Sequence, residues 1–299
     1  MPDSADRRPA PHPLPPAHRD RVVTSDGVHL DTVLLRGHRR TDRAIVLANG
    51  FTGSWRSPHT RMIARRLLAA GDVLAFDFRG HHGSTGLCTV GDSEVHDLEA
   101  VVAHLRGLGY TRFATVGFSM GAAVAIRHAA SFGGPEAVVA VSGPSRWYYR
   151  GTARMRLLHF GVERPAGRLF LRLVRRVRVI DRHWDPVPPD PTESAALVAP
   201  AALLVVHGDA DAYFPTEHAH RVHEAAREPR ELWIEPGMGH AERAVTPELA
   251  ERLTRWLAAR LDGGRPAGQA TGEAAPGTGG ARPGAASLPP ALADGVETG

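Results

Sequence analysis

The sequence predicts an α/β fold, a mostly parallel central sheet with helices on both faces. Three observations carry it. Short, apolar, β-prone runs recur through the middle of the chain. Between them lie stretches whose apolar residues return every three to four positions, the period of a helix. A glycine-framed serine stands at one junction from run to helix. Strands that alternate with helices in this way pair in parallel, because each crossover lays a helix over one face of the sheet.

The elements follow in order. Residues 28–35 alternate and read as a half-exposed strand, and 44–48 as a buried one. Residues 61–70 form a helix stopped by Gly71, followed by a buried run over 73–78. In 92–108, Val95, Leu98, Val102 and Leu105 make a helical stripe. A strand over 113–117, a helix over 120–130 and a strand over 137–141 come next. After a break, 202–206 is a strand, 217–227 a helix and 231–234 a last strand. The final helix opens with Thr246 as N-cap and Pro247 at the first helical position, with Leu249, Leu253, Trp256 and Leu257 on one face.

Composition bounds the class. Of 299 residues, 42% are hydrophobic and 23% charged, enough for a sizeable core, which excludes a collagen-like or wholly disordered chain. The single cysteine, Cys88, excludes an intrachain disulfide and a cysteine-based zinc site. No run approaches the roughly 20 apolar residues of a membrane span. Residues 1–20 are proline-rich and lack the apolar stretch of a secretory signal; they read as a disordered leader. Residues 263–299 are rich in Gly, Ala and Pro and read as a disordered tail. One domain over 21–262 and a cytoplasmic location are the expectations. All 36 basic residues are arginine, which in a chain so rich in Ala, Gly and Pro reflects codon bias; no nucleic-acid partner is expected. Oligomeric state is not legible.

The chemistry centres on Gly117-Phe118-Ser119-Met120-Gly121. It follows a strand and opens a helix, the setting of a nucleophile elbow. The glycines allow a tight turn, and the serine projects at a helix N-terminus that favours developing negative charge. A serine hydroxyl needs a base. His240, in Gly237-Met238-Gly239-His240 between the last strand and the last helix, is placed on the same rim. An acid must orient the imidazole. Asp209 and Asp211 both follow strand 202–206, and Asp211 fits better because it lies far enough past the strand end to reach the histidine. The chain order Ser119, Asp211, His240 is that of one specific fold.

These motifs resemble the α/β-hydrolase superfamily from Arg21 to about Leu261, most closely the serine aminopeptidase/monoacylglycerol-lipase-like branch. The elbow, His207-Gly208-x-x-Asp211 followed by Phe214-Pro215, Gly-x-Gly-His240, and Asp77-Phe78-Arg79-Gly80 with Ser84 carry the resemblance. It implies an α/β-hydrolase fold with a helical lid insert, an oxyanion hole formed by the backbone N–H groups of Phe51 and Met120, and no cofactor. Two positions depart from the family pattern: Asn49 precedes Gly50 where a histidine is usual, and His82 stands where a second glycine is usual. His81 and His82 are otherwise expected to be exposed loop residues.

Between Ser145 and Ala199 the rhythm breaks, and the lid is expected over about 146–198. Residues 146–184 hold eleven arginines against Glu163 and Asp181, a net +9, so the rest of the chain is about −5. Arg168, Arg172, Arg175 and Arg176 fit one helical face, with Leu169, Leu173, Val174 and Val177 on an apolar underside that closes the pocket. Such a helix can also steer an anionic substrate or lie on an anionic membrane. Trp147, Tyr148, Tyr149, Phe160 and Phe170 either line an acyl pocket or pack the lid onto the sheet. His218, His220 and His223 match no common zinc spacing, and no metal is expected.

The expected function is a cofactor-independent serine hydrolase, esterase- or lipase-like, that cleaves a carboxylic ester or thioester of a small acyl substrate through an acyl-enzyme on Ser119. A cofactor-free perhydrolase (haloperoxidase) or an acyltransferase with the same triad is the alternative. A non-catalytic binding module is a third, and a peptidase is disfavoured.

Overall fold

A computed structural model describes residues 17–263. An eight-stranded sheet runs through it: β1 Ala17–Val23, β2 His29–Leu35, β3 Arg43–Ala48, β4 Asp72–Phe76, β5 Arg112–Phe118, β6 Ala137–Val141, β7 Ala202–Gly208 and β8 Arg230–Glu235. The spatial order is β1-β2-β4-β3-β5-β6-β7-β8. Strands β3 to β8 are parallel and β1 and β2 antiparallel. Strand β1 corrects the expected leader. Residues 17–20 pair antiparallel with Thr32–Leu35, although their side chains are exposed and none is large and apolar. Backbone pairing onto β2 forms this strand, and no apolar pattern announces it. The remainder of the leader and residues 264–299 of the tail lie outside the described residues.

Helices cover both faces. On one side α2 Glu94–Gly107, α3 Met120–Phe132 and α7 Glu217–Ala225 bury Leu98, Val101, Ile126 and Val222 against the sheet. On the other, α1 Pro58–Leu67 and α8 Pro247–Leu261 bury Ile63, Leu67, Leu253 and Leu257. Each such leucine taken fully out of water contributes about 2 kcal/mol. Helix α1 begins three residues before the predicted start because Ser57 accepts from the Thr60 N–H and Pro58 occupies the first turn. Helix α8 has its predicted cap, Thr246 accepting from the Leu249 N–H.

The connection from β6 to β7 holds α4 Ala153–Glu163, α5 Pro165–Phe170, a π turn over Leu171–Arg175 and α6 Pro191–Ala195. It is not the continuous amphipathic helix expected here. The π turn shifts the register after Phe170, and Arg176 takes a left-handed conformation (φ 55°) that ends the helix before Val177. The predicted underside is mostly outward: Leu169, Leu173 and Val174 are 56–70% exposed, while Leu171 and Val177 are buried. Past the turn, Val177 and Val179 bridge to His81 and Cys88, tying the end of this stretch to the loop after β4.

Two glycines let the central crossing close up. A Cβ on Gly121 would sit 2.2 Å from the Ala48 carbonyl oxygen, and one on Gly117 would sit 2.2 Å from that of Gly121. Both contacts are to backbone, which cannot rotate away. Gly121→Ala is therefore expected to lower stability by about 3 kcal/mol or more, read as a lower urea midpoint in equilibrium unfolding.

Candidate active site

Ser119 lies between β5 and α3 with φ 50° and ψ −114°, a conformation costly for a residue with a side chain. The turn is held by the Ser119 N–H, which donates to the Val141 carbonyl at 2.9 Å, and by the Ala122 N–H, which donates to the Ser119 carbonyl at 3.0 Å. This geometry lifts the hydroxyl off the sheet edge. His240 follows β8, and its Nε2 stands 3.0 Å from Ser119 Oγ. Its Nδ1 stands 2.7 Å from Asp211 Oδ2. Asp211 Oδ1 accepts from the N–H groups of Tyr213 (2.7 Å) and Phe214 (3.2 Å). The Asp211 side chain is fully buried. Asp209 is elsewhere: it accepts from the Gly237 N–H at 2.6 Å and only shapes the turn.

The structure thus brings Ser119, His240 and Asp211 into one hydrogen-bonded chain, and Ser119 and His240 line a cavity of about 1120 Å³. Phe51 and Met120 line the same cavity beside the serine. Met120 opens α3, so its N–H has no carbonyl partner within the helix. The insert forms the far walls, with Trp147, Tyr148, Phe160 and Phe170 facing the cavity. Tyr149 does not line it; its ring packs edge-on to His218, 4.3 Å between centroids. His218 Nδ1 is turned inward and accepts from the Ser145 N–H at 3.0 Å.

Several further residues support this chain. His207 is buried at the end of β7, with Nε2 2.9 Å from the Phe214 carbonyl and 3.6 Å from Asp211 Oδ2. Burial holds its pKa below the ordinary imidazole value. Ser142 Oγ accepts from the Ala241 N–H at 3.0 Å, fixing the backbone next to His240. Tyr213 stacks on the His240 ring, 4.3 Å between centroids.

His81 is a correction. The expected exposed loop residue is fully buried. Its Nδ1 is 3.0 Å from the Arg79 carbonyl and its Nε2 3.2 Å from the Thr52 nitrogen. The two contacts define one neutral tautomer, Nδ1–H donating and Nε2 accepting. The ring thereby holds the loop that carries Phe51. Arg175, from the insert, donates to Thr52 Oγ1 at 2.7 Å. His82 is half-buried and takes a positive φ of 42°, the conformation that glycine would supply. Asn49 does not reach the serine: its Nδ2 donates to the Phe76 carbonyl (3.0 Å) and its Oδ1 accepts from Thr60 (2.9 Å). Behind these loops, Asp77 accepts from the Trp55 N–H (3.0 Å) and Arg56 (2.8 Å). Arg79 pairs with Asp97 and Asp26, both at 2.8 Å.

A sequence model described as the alpha/beta hydrolase family matches residues 45–254. This chain belongs to the alpha/beta hydrolase family. Solved members share its fold. An esterase of Pyrococcus furiosus is 25% identical with a TM-score of 0.66, covering 82% of this chain and 92% of that one. The esterase domain of a Rhodothermus marinus protein is 22% identical (TM-score 0.59), covering 82% and 98%. A serine hydrolase of Xanthomonas campestris, described as without lid, is 21% identical (TM-score 0.56), covering 86% and 100%. No curated protein matches the sequence. Among the described residues of this alpha/beta hydrolase, no helix is long and apolar enough to cross a membrane.

His81 adds a pH signature. Burial lowers its pKa to about 4, against an unfolded value near 6.5. Between these values the unfolded chain binds the proton and the native chain does not, so this stabilising difference is complete above 6.5 and is lost as pH falls through that window. The expected slope is up to about 1.4 kcal/mol per pH unit. His81→Gln should flatten it, read as urea midpoints from pH 7 to 4.

Proposed function

We propose that this alpha/beta hydrolase cleaves carboxylic esters, thioesters included, through an acyl-enzyme on Ser119. The observation that carries the reading is the hydrogen-bonded chain from Ser119 through His240 to a buried Asp211, opening onto a cavity with a largely apolar lining. In the first step His240 Nε2 takes the proton from Ser119 Oγ as the oxygen attacks the carbonyl carbon. Asp211 holds Nδ1–H toward itself, which selects the tautomer with a free Nε2 and stabilises the imidazolium. The Phe51 and Met120 N–H groups donate to the oxyanion. The imidazolium then gives its proton to the departing alkoxide or thiolate. In the second step His240 takes a proton from water, hydroxide adds to the acyl carbon, and collapse returns the proton to Ser119.

The apolar lining, including Leu158, Phe160, Phe170 and Leu171, suits an acyl chain. The description of the Pyrococcus furiosus relative as an esterase agrees with this choice. The insert acts as the lid, and its arginines draw an anionic substrate, or an anionic membrane surface that presents one, toward the cavity mouth.

The test is hydrolysis of p-nitrophenyl esters from acetate to palmitate. Wild type should turn over at least one chain length. Ser119→Ala should lose about ten-thousand-fold in kcat/KM and all labelling by a fluorophosphonate. A folded wild type that neither hydrolyses esters nor takes the label overturns the reading. Labelling without hydrolysis instead favours a different acyl acceptor, as in a perhydrolase or acyltransferase. Asp211→Asn should retain the label at a much reduced rate, because the serine survives while the histidine loses its orientation.

A further inference from the structure

Glu242, two residues past His240, has no part in the reaction just described. It is 8% exposed, yet it lines the active-site cavity. Among the described residues its carboxyl group receives no hydrogen bond and meets no cation, although five arginines, Arg154, Arg168, Arg175, Arg182 and Arg243, line the same cavity. Two glycines of the Phe51 loop make room for it. A Cβ on Gly53 would lie 2.8 Å from Glu242 Oε1. One on Gly50 would lie 3.3 Å from Glu242 Oε2 and 3.3 Å from Ser119 Cβ. A single Cβ-sized space therefore separates the carboxyl group from the nucleophile's own side chain.

With no donor among the described residues, the carboxyl oxygens face the cavity and meet its water. An acyl group that fills the cavity displaces that water and strands the acceptor unless it brings a donor of its own. The arginines of the cavity oppose a cationic acyl group, which leaves a neutral donor. We propose that Glu242 is a specificity-determining residue that accepts a hydrogen bond from a hydroxyl on the acyl group, one or two carbons from the carbonyl. The substrate class is thus a hydroxyacyl ester or thioester. This inference rests on the serine-hydrolase reading of the same site.

The experiment compares 3-hydroxybutyrate and butyrate as p-nitrophenyl esters. Wild type should favour the hydroxyacyl ester by about tenfold or more in kcat/KM, the discrimination one hydrogen bond to a charged acceptor supplies. Glu242→Leu should collapse that ratio toward one, and Glu242→Gln, which keeps an acceptor oxygen, should retain part of it. A wild-type ratio near one overturns the proposal. So does a Glu242→Leu variant that loses both substrates equally, which marks Glu242 as packing for the glycine loop. Thermal unfolding of each variant confirms that it is folded. Binding of the same two esters to Ser119→Ala, measured by calorimetry with and without Glu242→Leu, reads the preference without turnover. If the wild type hydrolyses neither ester, the mechanism falls, while the binding ratio still decides the role of Glu242.

Discussion

The approach of α3 to the edge of β3, closer than any side chain permits, is the constraint on which the rest of the site depends. Gly121 against the Ala48 carbonyl sets how tightly the chain turns after β5. That turn fixes the unusual backbone of Ser119, and the serine becomes the reference point for every other loop. The strain is held by neighbours: the Ser119 N–H is pinned to β6, and Ser142, at the end of β6, pins the backbone beside His240. Ser119 and His240 are therefore registered through a shared strand, so the 3.0 Å contact between them is held from the sheet as well as from the loop.

A second layer fixes the neighbouring loops with buried polar groups that each have a defined partner. Asn49 fastens the end of β3 to β4 and to α1, the place where a family histidine would stand. His81 holds Thr52 from behind, and Arg175 holds the same residue through its hydroxyl. Phe51 sits beside a clamped residue. In the proposed oxyanion role, an N–H fixed in this way need not reorganise when charge develops opposite it, which is where electrostatic stabilisation in enzymes is gained.

Legibility in the sequence followed the range of the forces. The parallel strands and α8 were readable because burial on both faces and a Thr-Pro cap are local patterns. Ser119 was readable because the glycines around it encode a close approach within five residues, and His240 and Asp211 because each lies in a loop a few residues past the end of a strand. Strand β1 was not, since its pairing is carried by backbone groups shared by every residue. The helical face through Arg168 and Arg176 failed because a π turn and one left-handed residue break a period that the side chains alone suggest. His81 and Ser142 were hidden for another reason: their roles exist only where distant loops converge, and a buried neutral imidazole looks in sequence like any exposed one. Glu242 belongs with them, because the space that admits it is made by Gly50 and Gly53, nearly two hundred residues earlier in the chain.

The insert's positive charge is carried without a single lysine. A guanidinium keeps its proton at any pH a folded protein tolerates, and it does not serve as an amine nucleophile. The electric field over the cavity is thus a fixed background rather than a variable one. Across that range every arginine of the insert keeps its charge. In the proposed reaction, an acyl group that passes the insert meets no lysine amine there, and the insert's cations offer no rival to Ser119.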